Sequence, residues 1–486
     1  MNQPRLTPHP SPLLVRGEGI RSATNATTRT KISARILALP FLLVAFTTAA
    51  AEKPVSYHHD LVPVLKRSCT GCHHPGKLKG EIDLTTYAAF LKGGKHGAGF
   101  KAGEPTNSLV LEEISGAEPS MPKEGDALSK GEVALFTRWI LEGAKNDTPT
   151  NANSFLLTAP PVYTKPPVIS ALAFSPDGKK LAVSGYHEVL VHDLNGTNPP
   201  ARLLGESPRL ESIAYSPNGK LIGVSGGAPA LFGEIQIWDA ETNGLVRSIK
   251  SSIDSLYGLS FSPDSEKVAV GGADKSVRVF SIKDGKELMK FDNHSDWVFG
   301  TAFLVDGKRL LSGSRDKAMK LIEVSNGQFI DDINKLLEGA LCLARSPKED
   351  LAVYGGDNGA TRIYKIAENQ GRTAGNNDVN LIKEYERLGG PVQAIAWSPN
   401  GTNIAVGGAA PEVRVYTAGK EGKRVATFKG HDGAVFALAF SPTTNWLAVG
   451  GFDGTVRLYD YVTKSNALVR AFVPVPVKGG AQTASK

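Results

Sequence analysis

From about residue 166 the chain repeats one pattern: a short apolar strand runs into a turn of the form Phe-Ser-Pro-Asp-Gly, and a second apolar strand follows. The turn recurs at Phe174-Ser-Pro-Asp-Gly178, Tyr215-Ser-Pro-Asn-Gly219, Phe261-Ser-Pro-Asp264, Phe303-Leu-Val-Asp-Gly307, Arg345-Ser-Pro-Lys348, Trp397-Ser-Pro-Asn-Gly401 and Phe440-Ser-Pro-Thr443. These seven copies are spaced by 41, 46, 42, 42, 52 and 43 residues. The second strand often ends in a glycine pair (Gly271-Gly272, Gly355-Gly356, Gly407-Gly408, Gly450-Gly451), and an alternating strand such as Ser276-Val-Arg-Val-Phe280 or Thr455-Val-Arg-Leu-Tyr459 comes next. A period of two marks a strand with one covered face, and a fourth, more polar strand completes each unit. One four-stranded unit cannot bury both of its faces, whereas a closed ring of units covers every inner face and has no ends.

Residues 52–146 follow a different period. Asp60-Leu-Val-Pro-Val-Leu-Lys-Arg67 predicts a short helix with Asp60 as its N-cap, directly before a pair of cysteines. Ser129-Lys-Gly-Glu132 has the form of a capping box, and Val133, Phe136, Trp139 and Ile140 then recur at three- and four-residue spacing. That predicts an amphipathic helix ending near Gly143. From Asn146 to Pro167 the chain is rich in Asn, Thr and Pro with little period, which places a linker there. The expected architecture is a small all-α domain (52–146), a linker (147–165), an all-β ring (166–475) and a disordered tail (476–486).

Four strands per repeat of this length resemble the WD40 family, and seven copies then imply a seven-bladed propeller. The repeats are degenerate. The position of the family's strand-c Trp is filled by His192, Trp238, Phe280, Ile322, Tyr364, Tyr416 and Tyr459, so only Trp238-Asp239 keeps the name-giving dipeptide. His294 with Asp316 and His431 with Asp453 match the family's structural His and Asp, which hydrogen-bond within a blade. A strand from Phe155 to Tyr163 is a candidate for closing the ring.

Composition agrees with two folded units: 486 residues exceed one ordinary core, and 41% hydrophobic with 21% charged residues is a globular balance. With 3 Cys in the chain, disulfides are not the stabilising device. The first 51 residues differ from the rest. Arg5, Arg16, Arg21, Arg29, Lys31 and Arg35 precede the apolar run 36–46, which ends in small residues including Ala49 and Ala51. This resembles a secretory signal peptide and predicts an exported, periplasmic protein, a short membrane anchor being the other reading. The segment carries six cations and Glu18, a net of +5 of the chain's +7, so the remainder is +2. A near-neutral mature chain offers no electrostatic ground for nucleic acid or an anionic membrane as partner.

The strongest chemical signal is Cys69-Thr-Gly-Cys72-His73. Two thiols on one side of a turn can bond the two vinyl groups of a haem while the adjacent imidazole meets the iron, which reads as covalent attachment of one haem c. A zinc knuckle would need a second ligand pair, and Cys342 lies far off in a strand; a thioredoxin-like pair would need a βαβ frame. For the second axial position, Met121 in Glu118-Pro-Ser-Met-Pro-Lys123 is a soft thioether donor outside any apolar period. His96, in Gly93-Gly-Lys-His-Gly97, and the pair His58 and His59 are its rivals, while His74 is expected to point elsewhere. Residues 55–145 resemble the small cytochrome c domain of planctomycetes and related bacteria. That resemblance rests on Cys69 to Pro75, Gly103-Glu-Pro-Thr-Asn-Ser-Leu109, Ser120-Met-Pro122 and Trp139-Ile-Leu-Glu-Gly143. It implies a His73/Met121 mono-haem fold in which Phe136 and Trp139 pack the last helix on the first near the haem. Lys123 stands where the family usually repeats Pro.

Other signals carry less. Gly223-Val-Ser-Gly-Gly227 matches a nucleophile-elbow pattern but sits where other repeats have a strand, with no helix after it. Arg278, Lys320, Arg362, Arg414 and Arg457 occupy equivalent strand positions and read as locally paired cations. The loop from Glu368 to Asn380 is the variable connection of blade five. The leading functional expectation is an exported electron carrier whose propeller docks a redox partner protein. The alternatives are a scaffold with a structural or redox-sensing haem, and an oxidoreductase of the kind that joins a cytochrome to an eight-bladed propeller.

Overall fold

A computed structural model of the chain describes residues 53–74, 77–148, 157, 159–334, 337–366, 378–462 and 467–478. The expected leader, about half of the linker, most of the blade-five loop and most of the tail fall outside these residues.

The helical region is built from four short α-helices, α1 (Val62–Ser68), α2 (Tyr87–Lys92), α3 (Leu109–Ile114) and α4 (Lys130–Leu141). A single π-helical turn, Tyr57–Leu61, runs straight into α1. The helical stretch therefore starts a turn before the position expected from Asp60, and its cap is Ser56. The Ser56 hydroxyl accepts from the His59 N–H at 2.8 Å, and the Asp60 carboxylate reaches back to accept from the Ser56 N–H at 2.8 Å. The earlier start buries Tyr57 and Leu61, whose side chains are 2% and 0% exposed, in one core with Phe136, Trp139 and Ile140 of α4.

The capping box of α4 forms as the spacing predicts. Ser129 Oγ accepts from the Glu132 N–H, and Glu132 accepts from the Ser129 N–H. Glu132 also accepts from the Arg67 guanidinium at the end of α1. The Arg67 bond, with the two Ser129 bonds behind it, holds the Glu132 carboxyl down at about 2. Ser129→Ala should cost about 1 kcal/mol of stability in urea titrations of the full chain, the usual loss for an N-cap oxygen.

Residues 172–472 form seven four-stranded antiparallel sheets in which sequence order and spatial order coincide. Blades one to seven span 172–204, 209–252, 256–291, 298–332, 340–384, 392–428 and 435–472. The first strand of each blade packs against the first strand of the next, and the first strand of blade seven packs against that of blade one. The result is a closed seven-bladed propeller.

The glycine pairs have a packing reason. A Cβ on Gly271 would lie 2.4 Å from the Val298 carbonyl oxygen, on Gly355 2.4 Å from Val392 Cγ1, on Gly407 2.8 Å from Val435 Cγ1, and on Gly450 2.7 Å from Ile169 Cγ2. Each of these glycines clears the seat for the next blade's first buried branched residue, and the last of them seats blade one against blade seven.

All four strands of every blade come from one continuous stretch of chain, so the ring closes by packing without a strand exchanged between its ends. Of the closing segment expected at Phe155–Tyr163, Phe155 lies outside the described residues. Tyr163 makes a single parallel bridge to Val477, and the Lys478 N–H donates to the Tyr163 carbonyl at 2.8 Å. Residues 163 and 477, assigned by the sequence pattern to linker and tail, are thus tied to the propeller. Tyr163 is buried with Leu190 of blade one and Val475, and its hydroxyl donates to Glu188 at 2.7 Å.

Of the two structural His–Asp pairs expected, one forms. His294 Nδ1 lies 2.8 Å from Asp316 Oδ2 and Nε2 lies 2.8 Å from Ser312 Oγ. In blade seven, Asp453 instead accepts from Arg457 at 2.7 Å and from the Thr455 N–H at 2.9 Å. The Ser312 position, one before the strand's glycine, is Val449 there, and the far imidazole nitrogen meets the Tyr459 hydroxyl at 3.5 Å instead. Arg457 stands where blade four has Lys320, and it takes the aspartate from His431.

These environments set an acid limit. Burial, with the Arg457 charge adding to it, pushes His431 down to about 4, and burial also pushes His192 down to about 4. Both stay neutral in the folded chain but would protonate near 6.5 when unfolded, so their contribution is complete above that pH and drains as pH falls toward 4. Thermal melts at pH 7 and pH 4.5 should show the propeller losing up to about 2 kcal/mol per histidine, a loss that His431→Gln reduces. Asp316 loses its contribution in a more acidic window: although burial opposes it, the His294 and Ser295 bonds hold it at about 2, and its contribution fades only below about pH 4.

Candidate haem site

Helix α1 delivers the cysteines. The Cys69 N–H still donates to the Leu65 carbonyl at 2.9 Å, and the Cys72 and His73 N–H groups then both turn back to the Cys69 carbonyl, at 3.1 and 3.2 Å. The motif is one tight turn at the helix end, with both thiols half-buried and unbonded to each other. Burial pushes the Cys69 thiol up to about 11, against the pull of the Arg67 charge. A redox-active Cys-X-X-Cys pair has a lowered thiol pKa, so the thioredoxin-like reading lacks its electrostatic basis here.

After the motif the chain folds back, pairing His73 with Leu78 and His74 with Lys77 in two short strands, β1 (His73–His74) and β2 (Lys77–Leu78). A 3-10 turn, Lys79–Glu81, follows and presents the Lys79 carbonyl 2.8 Å from His73 Nδ1. A carbonyl only accepts, so Nδ1 carries a proton, which in the neutral ring leaves the lone pair on Nε2. That is the tautomer a ligating histidine needs, and a carbonyl on the remote nitrogen is its usual support.

Cys69, Cys72, His73 and Met121 line one cavity of about 410 Å³. Its walls are mainly apolar, from Ile82, Leu84, Phe90, Val110 and Ile114, and the volume lies within the range of small-molecule sites. Met121 is held there by its backbone, whose N–H donates to the Glu113 carbonyl at the end of α3 at 2.9 Å. Among the rival donors His96 reaches the same cavity, while half-buried His58 and exposed His59 meet edge to face with centroids 4.8 Å apart and do not line it. His74 is buried and does not line the cavity, as expected.

Phe136 and Trp139 do pack the last helix on the first. They do so one layer behind the cavity, in an aromatic core where Trp139 stacks on Tyr57 at 5.4 Å and on Phe90 at 6.3 Å. Phe90 is the member of that core that forms cavity wall, and sequence reasoning missed it. Its signal was the apolar spacing of Tyr87, Phe90 and Leu91 behind the Thr86 cap, which marks α2 but not which side faces the ligand. The Lys79 carbonyl left no signal at all, because a backbone oxygen has no residue type.

A match to known families follows this geometry. Residues 69–125 match the family model described as Planctomycete cytochrome C, a stretch that begins at the first cysteine and ends just beyond Met121. Residues 243–281, 285–323 and 422–460 match the model described as WD domain, G-beta repeat. The chain joins a planctomycete-type cytochrome C domain to a seven-bladed WD40 propeller. Each matched WD40 stretch starts before the outer strand of one blade and ends in the third strand of the next, so the sequence repeat is offset from the blade. A run of 234 residues is 24% identical to Protein groucho of Drosophila melanogaster, 46% of this chain and 31% of that protein. The chain therefore spans about a third of the length of that relative.

In the WD40 propeller the set-aside signals find ordinary places. Ser225 is buried in the strand Leu221–Ala228, and a third strand follows it rather than a helix. Arg278 pairs with Asp274 at 2.6 Å, Lys320 with Asp332 at 3.2 Å, Arg414 with Glu412 at 2.6 Å and Arg457 with Asp453 at 2.7 Å. Arg362 pairs with Glu384 at 3.0 Å and also with buried Glu338. The five cations serve their own blades.

Proposed function

We propose that this chain is an exported electron carrier: a cytochrome C domain holding one covalent haem c, with the WD40 propeller as the platform that docks its redox partner protein. The observation that carries the reading is the convergence of Cys69, Cys72, His73 and Met121 on one apolar cavity, with the His73 proton committed to the Lys79 carbonyl. The donor set fits such a group: two thiols for thioether tethers, an imidazole with its Nε2 free, and a thioether sulfur in the same cavity. When bound, a haem supplies a one-electron ferric/ferrous couple.

The chain's own residues do the rest. Cys69 and Cys72 would tether the group, His73 and Met121 would hold its iron, and the apolar walls would exclude water, which together with a thioether donor favours the reduced state. Export rests on the basic and apolar segment 1–51, and it agrees with a group that is attached outside the bacterial inner membrane. Among the described residues no helix is long and apolar enough to cross a membrane.

Expression of the full chain in a host that attaches haem c, followed by a pyridine haemochrome spectrum and a redox titration, tests the reading. One haem per chain with a reversible couple and fast exchange with an acceptor is the expected result. Colourless protein with both thiols open to alkylation would overturn it, and a ligation change without turnover would favour a sensing scaffold instead.

A further inference from the structure

The glycine-rich hairpin between α2 and α3 does more than connect them. Gly93 ends α2 in a left-handed conformation (φ 74°), and Gly94 and Gly97 close a tight antiparallel bridge, each N–H donating to the other's carbonyl at 3.0 and 3.1 Å. From this hairpin the Lys95 N–H donates to the Gly80 carbonyl at 2.9 Å. Gly80 is the centre of the 3-10 turn Lys79–Glu81, where it adopts φ 67°, and the residue before it supplies the carbonyl that receives the His73 Nδ1 proton. The contact leaves no spare room: a Cβ on Gly94 would lie 2.4 Å from the Gly80 oxygen and 2.8 Å from the Ile82 nitrogen. At the other end α2 fixes the hairpin to the core through Phe90, which is 0% exposed.

We infer that the Gly93–Gly97 hairpin is a positioning brace for His73, acting through the Lys95 N–H, the Gly80 carbonyl and the Lys79 carbonyl to fix the tautomer and donor strength of the imidazole. The inference rests on the proposed role of His73 as an axial donor, but the tautomer itself is a property of the protein alone. A firm hydrogen bond from Nδ1 increases the electron density at Nε2, which stabilises the oxidised state of a bound iron and lowers its potential. Loosening the Lys79 carbonyl should therefore raise the potential and admit the other tautomer.

Two full-chain variants disturb the brace differently. Lys95→Pro removes the one N–H that holds Gly80, and Gly94→Ala pushes on the Gly80 oxygen; Lys95→Ala keeps the N–H and serves as the control. With imidazole nitrogens labelled, NMR of the chain before haem attachment should show a single Nδ1–H form of His73 in the wild type and the control, and a mixture with the Nε2–H form in the other two. In the haem-loaded protein the same two variants should show an upward shift in potential, with the control unmoved. An unchanged His73 tautomer and unchanged potential in both Lys95→Pro and Gly94→Ala, with melting curves showing folded protein, overturns the brace. A wild type that takes up no haem would sink the electron-carrier reading while leaving the NMR comparison to decide the brace.

Discussion

On the proposed reading, replacing Cys69 and Cys72 together with Ala should yield a folded chain with no covalent haem, a complete loss of the visible absorption expected of the wild type. Both thiols are half-buried in a turn at the end of α1, and their side chains form part of the cavity wall, so the substitutions remove two thiols and little core. The core of the domain is instead Tyr57, Phe90, Phe100, Phe136 and Trp139, none more than 2% exposed, and the double variant leaves them in place. The propeller has its own cores and should melt unchanged. Denaturing gels stained for haem, with mass spectrometry of the intact chain, check this. Retention of a covalently bound mass in the double variant would show that the tethers lie elsewhere. Met121→Ala should keep the covalent mass and lower the potential, since the thioether favours the reduced state; His96→Ala should keep the covalent mass and leave the potential unchanged.

The second large effect lies in blade five. Arg362 and Glu338 are 3% and 4% exposed and form a direct ion pair, with Tyr354 donating to the same carboxylate and Glu384 accepting from Arg362 Nε at 3.0 Å. Removing one partner strands the other. Arg362→Met should destabilise the propeller by about 3–5 kcal/mol, because the Glu338 charge then stays buried with only hydrogen bonds to support it. The double variant Arg362→Met with Glu338→Gln should recover much of that loss, since no isolated charge remains. Urea unfolding followed by tryptophan fluorescence gives both numbers, and a loss below about 1 kcal/mol for the single variant would mean that water reaches the carboxylate.

Much of this architecture was legible because the signals are periodic. Seven recurring turns and the glycine pairs announce units that stack in a ring, and the spacing of Phe136, Trp139 and Ile140 behind Ser129 announces a capped amphipathic helix. Legibility failed where the answer depends on a neighbour remote in the chain. Asp60 is a good cap residue, yet Ser56 caps the helix, because the buried side of Tyr57 pulls the helical turn upstream. His431 and Asp453 keep the spacing of His294 and Asp316, yet Arg457 and Val449 decide that only one pair bonds.

By itself the sequence determined the two classes of structure, the number of blades, the pair of thiols proposed as tethers and the short set of candidate donors opposite His73, because residue type and local period encode those directly. Only the tertiary structure decided which donors share a cavity. His58 and His59 are closer to Cys69 in sequence than Met121 is, but the fold leaves them off the cavity and ties Met121 to the end of α3 through the Glu113 carbonyl. It also decided the tautomer of His73, through the carbonyls of Lys79 and Gly80, and the closing of the ring, through the seat that Gly450 clears for Ile169. Both rest on backbone atoms and close approaches, which every residue type shares and which no pattern of side chains along the chain records.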